Sequence, residues 1–117
     1  MDLIEVELDT PLGSFRRNDR SPQPRLVVDG DIDERVVDEF TEAIFETVRD
    51  AESVAVLDMA RVTYLGSAGI GALLTGKALA HDHAVDLVIE PSRFVRRVLY
   101  LAGLVDFFAI DRVLGSR

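Results

Sequence analysis

The apolar positions of this chain follow two periods, one typical of strands and one typical of helices. Residues 3–8 alternate apolar and acidic side chains, which predicts a half-buried strand, and residues 53–58 form a continuous apolar run that predicts a buried one. In chain order, the predicted strands are residues 3–8, 25–29, 53–58, 85–89 and 107–110. Proline, glycine and polar residues fill residues 10–24, and they predict a loop throughout.

Three further segments repeat apolar residues with the 3.6-residue period of an amphipathic helix. Asp33 and Ser67 precede the first two as suitable N-caps, Pro91 and Ser92 are predicted to open the third, and Gly103 suits a left-handed stop after it. The residues predicted for the core are Phe40, Ile44, Val56, Leu73, Val88, Val98 and Leu99, and the third helix is also expected to bury Phe94, Val95 and Ala102. This order of elements predicts one domain over residues 1–117, an α/β fold with a mixed sheet of about five strands and three to four helices.

The charge is unevenly distributed along the chain. The net charge of -8 belongs to residues 1–50, and residues 51–117 are neutral overall. Residues 29–50 carry nine of the fourteen carboxylates of residues 1–50, either as a solvated helix face or as a surface that steers a basic partner. Such a surface repels a phosphate backbone, so no direct contact with nucleic acid is expected. The acidic start, the lack of a long apolar run and the lack of cysteine fit a cytoplasmic protein that does not insert into a membrane.

Several possible catalytic or ligand sites fail on spacing. A Gly-x-Ser-x-Gly elbow around Ser67 would need glycine where Leu65 stands, and the glycines at 66, 69 and 71 do not have dinucleotide-binding spacing. His81 and His83 alternate near a helix end and lack the remaining ligands of a metal site. We therefore expect no enzymatic activity, no catalytic residue, no metal and no cofactor.

The segment from residue 57 to residue 74 resembles the signature of the STAS family, which includes bacterial anti-sigma-factor antagonists. The matching residues are Asp58, Val62, Tyr64, Leu65, Ser67, Ala68 and Gly69. Residues 30–33, Gly-Asp-Ile-Asp, are similar to the Gly-x-Leu/Ile-Asp that precedes the first helix in this family. Two positions depart from the pattern: Gly66 stands where an acidic residue is usual, and Ala60 where a small hydroxyl residue is common.

This resemblance implies a protein-binding switch. Ser67 would be phosphorylated by an anti-sigma factor with serine kinase activity, and the unphosphorylated form would bind that partner and free the sigma factor. The implied partner-binding residues are Asp31, Asp33, Tyr64, Gly66, Ser67, Ala68 and Gly69. The alternative is an interaction module of the same fold that is not phosphorylated, within a lipid-transport or signalling assembly. A monomer or weak homodimer is expected in either case.

Overall fold

The computed structural model describes residues 5–9, 13–18 and 23–110, and its strands form one mixed sheet. The strands lie side by side in the order β1 (Glu5–Asp9), β2 (Gly13–Asn18), β3 (Arg25–Ile32), β4 (Val54–Leu65) and β5 (Asp86–Pro91). Strands β1 to β3 are antiparallel neighbours, whereas β3, β4 and β5 are parallel. The helices are α1 (Val37–Asp50), α2 (Ser67–Asp82) and α3 (Arg93–Leu101). Parallel strands joined through helices make this an α/β fold, the class that the sequence predicts.

Strand β2 shows that the prediction of a loop throughout residues 10–24 is wrong. It pairs with both neighbouring strands, and Phe15 lies opposite Leu8 on one side and Val28 on the other. Phe15 is 1% exposed, and its ring stacks on that of Phe40 with the centroids 5.7 Å apart. One apolar residue among polar ones produces no alternating pattern, so the strand depends on backbone pairing that the sequence pattern does not reveal.

Helices α1 and α2 pack against each other and against the sheet. Phe40 and Ile44 of α1 and Leu73 of α2 are fully buried, as predicted. The two helices approach closely at Gly76, where a Cβ atom would lie only 2.6 Å from Cγ2 of Ile44. The remaining predicted core residues divide into buried Val56 and Leu99 and half-buried Val88 and Val98.

The start of α1 differs from the prediction, because Asp33 is not its N-cap. Residues 34–36 form a turn, and α1 begins at Val37 with no side-chain cap. The carboxylate of Asp33 instead accepts a hydrogen bond from the amide of Arg35 at 2.9 Å. A short aspartate side chain stabilises a turn as readily as a helix start, so the same residue type suits both conformations.

Helix α3 has the stop that the sequence predicts, but it begins at Arg93 and not at Pro91, because Pro91 ends β5 and Ser92 is the N-cap. The hydroxyl oxygen of Ser92 accepts a hydrogen bond from the amide of Val95 at 3.0 Å. After the helix, Gly103 adopts φ 75°, and the amide of Leu104 donates to the carbonyl oxygen of Leu99 at 2.8 Å. This combination of a left-handed glycine and a backward hydrogen bond satisfies carbonyl groups at the helix end.

The last described part of the chain corrects two predictions. Phe94 and Ala102 are exposed instead of buried, because the helix has only nine residues and turns a narrow stripe inward. Residues 107–110 form turns instead of a strand, with amides donating to carbonyl oxygens three to five residues earlier. Phe108 and Ile110 are nevertheless buried, and this alternation imitates the period of a strand.

Residues 3 and 4 of the first predicted strand lie outside the described residues. Among the helices that are described, none combines the length and the apolar character needed to cross a membrane.

Candidate functional site

The carboxyl ends of β3 and β4 lie side by side and lead directly into α2. Asp31 pairs with Tyr64 in the parallel register, and Ile32 pairs with Leu65. Only Gly66 separates β4 from α2, and its amide donates to the carbonyl oxygen of Ile32 at 3.0 Å. Residues far apart in the sequence therefore meet at one edge of the sheet, beside the start of a helix.

Ser67 is the first residue of α2 and not its N-cap, which corrects the prediction by one position. The N-cap is Gly66, in the extended conformation with φ -87° and ψ -179°, and no side chain caps the helix. Ser67 is exposed, and no acidic residue lies in the first turn. The helix therefore begins with amide donors that lack a side-chain acceptor, next to a hydroxyl that makes no capping hydrogen bond.

Small residues follow Ser67, and they differ in whether a side chain would fit at their positions. Gly69 is buried, and a Cβ atom there would lie 2.5 Å from Cδ1 of Leu65 and 3.1 Å from Cγ2 of Ile32. Its lack of a side chain lets α2 lie directly on the strand ends. At Gly71 a Cβ atom would meet nothing within 4 Å. The surface beside Ser67 is thus low, meaning that few side chains project from it, while Gly69 lets the helix beneath that surface pack closely on Leu65 and Ile32.

An aromatic pair borders this low surface. Tyr64 is 46% exposed, and a Cβ atom at Gly66 would lie 3.2 Å from both Cε2 and Oη of its ring. The same ring contacts that of Phe94 on α3, with the centroids 5.7 Å apart and the planes tilted by 43°. The sequence interpretation missed Phe94 as a surface residue. Arg97, three residues later and on the same side of the helix, was the available sign that Phe94 lies on a polar face.

The two predicted carboxylates have different partners. Asp31 accepts a hydrogen bond from the hydroxyl of Thr63 at 2.6 Å, which links the ends of β3 and β4 on the exposed side. Asp33 accepts from the amide of Arg35 and forms an ion pair with its guanidinium at 3.1 Å. The hydrogen bond from the Arg35 amide is the main reason that the pKa of Asp33 is lowered. Thr63 is a second residue of this edge that the sequence interpretation did not select.

The predicted site residues therefore lie close together, and of those placed here only Gly69 is buried. Asp31, Tyr64, Gly66 and Ser67 lie at the joined ends of β3, β4 and α2. Asp33 follows on the turn after β3, and Gly69 is buried beneath the surface. The arrangement presents a hydroxyl, a half-exposed aromatic ring and a carboxylate on neighbouring strand ends, which suits recognition by another protein.

In the part of the chain that the structure describes, no group of three or more His, Asp or Glu side chains is arranged to hold a metal ion. His83 lies at the end of α2, where its Nδ1 is 3.0 Å from the carbonyl oxygen of Leu79. The ring thus interacts with the end of its own helix, as expected for a histidine at such a position.

Comparison with known families agrees with this architecture. The family model described as "Mlab, STAS domain" matches residues 15–113. The chain belongs to the STAS family. The match includes all three helices and the whole site described above. No curated protein matches the sequence.

Several solved structures share the fold. An anti-sigma factor antagonist from Mycobacterium paratuberculosis has 23% identity and a TM-score of 0.65, covering 93% of this chain and 85% of its own. The anti-sigma factor antagonist SpoIIAA in its unphosphorylated form has 21% identity and a TM-score of 0.63, covering 77% and 81%. The Bacillus cell fate determinant SpoIIAA in the phosphorylated form has 20% identity and a TM-score of 0.60, covering 79% and 86%.

Proposed function

We propose that this STAS domain is an anti-sigma-factor antagonist that regulates transcription by partner switching. The observation that carries the proposal is Ser67, an exposed hydroxyl at the start of α2 that makes no capping hydrogen bond and stands on a low surface. An anti-sigma factor with serine kinase activity transfers the γ-phosphoryl group of ATP to this hydroxyl, which loses its proton, and ADP is released. The unphosphorylated form binds that partner, and phosphorylation releases it.

The chemistry of the helix start supports both states of the switch. A phosphate on Ser67 would lie near the free amides of the first turn and the positive end of the helix dipole, so the fold tolerates it. The same phosphate adds about -1.5 to -2 charges to a contact surface of small and aromatic residues. Desolvating that charge against a partner is unfavourable, and a loss of about 100-fold in affinity needs only about 2.8 kcal/mol.

The surface proposed to bind the partner comprises Asp31, Asp33, Tyr64, Gly66, Ser67, Ala68 and Gly69. Asp31 and Tyr64 contribute side chains at the strand ends, whereas Gly69 contributes by holding α2 close to them. In this role the domain acts in the cytoplasm without catalysis or cofactor, as a monomer or weak homodimer. It contacts neither nucleic acid nor the membrane interior.

Phosphorylation by a purified kinase-like anti-sigma factor with ATP tests the proposal, with mass spectrometry to locate the phosphate. We expect phosphate on Ser67, no phosphate on Ser67→Ala, and unchanged modification of Ser53→Ala, which removes another exposed hydroxyl. Ser67→Ala should still bind the partner. Equal partner affinity before and after stoichiometric phosphorylation of Ser67 would refute the switch. Ser67→Asp is a weaker test, because one carboxylate differs from phosphate in charge and shape.

The second candidate function is an interaction module of the same fold without phosphorylation, in a lipid-transport or signalling assembly. One observation favours it: Gly66 stands where the STAS signature that the chain resembles has an acidic residue beside the serine. Recovery of an unmodified Ser67 from cells, together with a stable complex that lacks any kinase, would select this candidate.

A further inference from the structure

The outward side of α3 combines arginines with exposed aromatic and aliphatic residues. The side chains that form this α3 outer face are Arg93, Phe94, Arg97, Tyr100 and Leu101. Tyr100 and Leu101 are each 71% exposed, the highest values among the exposed large hydrophobic residues that the structure describes. Phe94 contacts Tyr64, so the face is continuous with the candidate site around Ser67.

The positions of the two arginines on this face destabilise α3. Arg93 and Arg97 are four positions apart and lie on one side of α3, where like charges repel. Arg93 also opens the helix, at the positive end of its dipole, and the first turn contains no acidic residue. Neither arginine forms a salt bridge within the described ranges. Charges that destabilise their own helix and have no acidic partner among the described residues are typical of a binding surface.

We propose that the α3 outer face docks an acidic surface of the protein that binds at Ser67. The occupant is acidic because the face is basic on a chain whose net charge is -8. It is a protein because arginine and aromatic side chains together are typical of protein interfaces. A lipid surface fits less well, since the apolar side of α3, with Val95 and Leu99 both at 0% exposure, is already used by the core. The identity of this occupant rests on the proposed function.

A model acidic ligand tests the face independently of the biological partner. The ¹⁵N-labelled protein is titrated with a copolymer of glutamate and tyrosine, and with a copolymer of lysine and tyrosine as the control of opposite charge. We expect amide shifts at residues 93–101 and at Tyr64 with the acidic copolymer alone. The affinity should fall as the salt concentration rises, because exposed charges are screened.

Charge reversal identifies the groups responsible. Arg93→Glu/Arg97→Glu should weaken binding of the acidic copolymer by about tenfold, because like charges then face each other across the contact. Arg49→Glu/Lys77→Glu makes the same change in net charge on α1 and α2, and should weaken it by less than about twofold. Phe94→Ala should weaken binding while leaving the salt dependence unchanged. Equal weakening by both double variants, or no shifts on α3, would overturn the proposal.

The biological partner separates this inference from the switch. If the kinase-like anti-sigma factor modifies Ser67 but binds wild type and Arg93→Glu/Arg97→Glu equally, the docking face is refuted and the switch stands. If that factor does not bind while the acidic copolymer does, the switch and the proposed occupant are refuted together, and only the affinity of the face for acidic chains stands. Cosedimentation with phosphatidylglycerol vesicles that the double variant abolishes would assign the face to a membrane instead. A concentration-dependent dimer that the double variant abolishes would assign it to a second copy of this chain.

Discussion

The ring of Tyr64 lies against the backbone of Gly66. A Cβ atom at residue 66 would be 3.2 Å from both Cε2 and Oη of that ring. The lack of a side chain at residue 66 and the position of the aromatic ring are therefore parts of one arrangement. A side chain at residue 66 would displace the ring, which is 46% exposed and has solvent to move into.

Gly66→Asp should change the rate of Ser67 phosphorylation several-fold while changing the free energy of unfolding by no more than about 1 kcal/mol. The backbone at residue 66 is extended and accepts any side chain, and an aspartate N-cap is slightly better than glycine. Displacement of the Tyr64 ring offsets that gain. Urea unfolding and a phosphorylation assay with the purified kinase-like partner provide the two measurements.

Gly66→Ala is the matched control, since it makes the same Cβ contact without a carboxylate. An equal change of rate in both variants would assign the effect to the ring and not to the charge. No phosphate on the native protein, together with rapid phosphorylation of Gly66→Asp, would contradict a native switch. No phosphate on either form would favour the non-phosphorylated interaction module.

Gly69→Ala and Gly71→Ala should change stability in opposite directions. At residue 69 the new methyl group would lie 2.5 Å from Cδ1 of Leu65, and we expect a loss of about 1–3 kcal/mol from overpacking. At residue 71 it meets nothing within 4 Å, and alanine should stabilise α2 by about 0.5–1 kcal/mol. Thermal and urea unfolding measure both. Stabilisation by Gly69→Ala would show that α2 does not pack on the strand ends as described.

Ser67→Ala and Ser92→Ala separate a free hydroxyl from a capping one. Ser67 makes no capping hydrogen bond, so its replacement should change the free energy of unfolding by less than about 0.5 kcal/mol. Ser92 accepts from the amide of Val95 at 3.0 Å, and its replacement should cost about 1 kcal/mol. Urea unfolding of the two variants side by side is sufficient. A larger loss at Ser67 than at Ser92 would make Ser67 a structural residue.

The sequence predicted an element correctly where that element alone contains a repeated apolar pattern or a suitable N-terminal residue. The apolar stripe of α1 is repeated over several turns, and Phe40 and Ile44 are buried as it predicts. The position of Ser67 was predicted to within one residue, because glycine and serine both occur at N-caps. The sequence did not reveal β2, whose single described inward residue, Phe15, depends on pairing with β1 and β3.

Contacts between elements account for the rest of the candidate site. The hydrogen bond between Thr63 and Asp31 joins residues 32 positions apart, and the ring of Tyr64 reaches Phe94 on another element. Hydrophobic periodicity describes one face of one element and contains no information about which side chains meet across a sheet. Residues 107–110 show that the pattern can also mislead. Phe108 and Ile110 are buried in alternation, as in a strand, although the segment forms turns.

Asp33 should make stability depend on pH in the acid range. Its pKa is lowered in the fold, chiefly by the hydrogen bond from the Arg35 amide, from a reference value of 3.8. A lowered carboxyl pKa contributes stability that is fully present above the unfolded value and is lost as the pH falls through the folded value. Asp33→Ala should therefore be less stable than wild type at pH 7, with a smaller difference below the folded pKa. Glu34→Ala is the exposed neighbouring control, and an unchanged difference across the range would contradict this assignment.

Arg25 should hold two neighbouring carboxylates together across three strands. Its Nη1 atom lies 3.2 Å from Oδ2 of Asp58 and 2.7 Å from Oε1 of Glu90, and these two acidic residues are direct neighbours in the β4–β5 register. Removing the guanidinium leaves like charges opposite each other, which destabilises adjacent strands. The side chains are 27–46% exposed, so solvent screens the effect, and we expect Arg25→Met to cost about 1 kcal/mol at low salt. The loss should shrink at high salt, where the repulsion is screened.

Arg61→Met, at an exposed arginine of β4 outside this cluster, should change stability by less than about 0.5 kcal/mol. Equal losses in the two variants, or a loss at Arg25 that does not respond to salt, would show that the aliphatic part of Arg25 stabilises the sheet and that its charge does not.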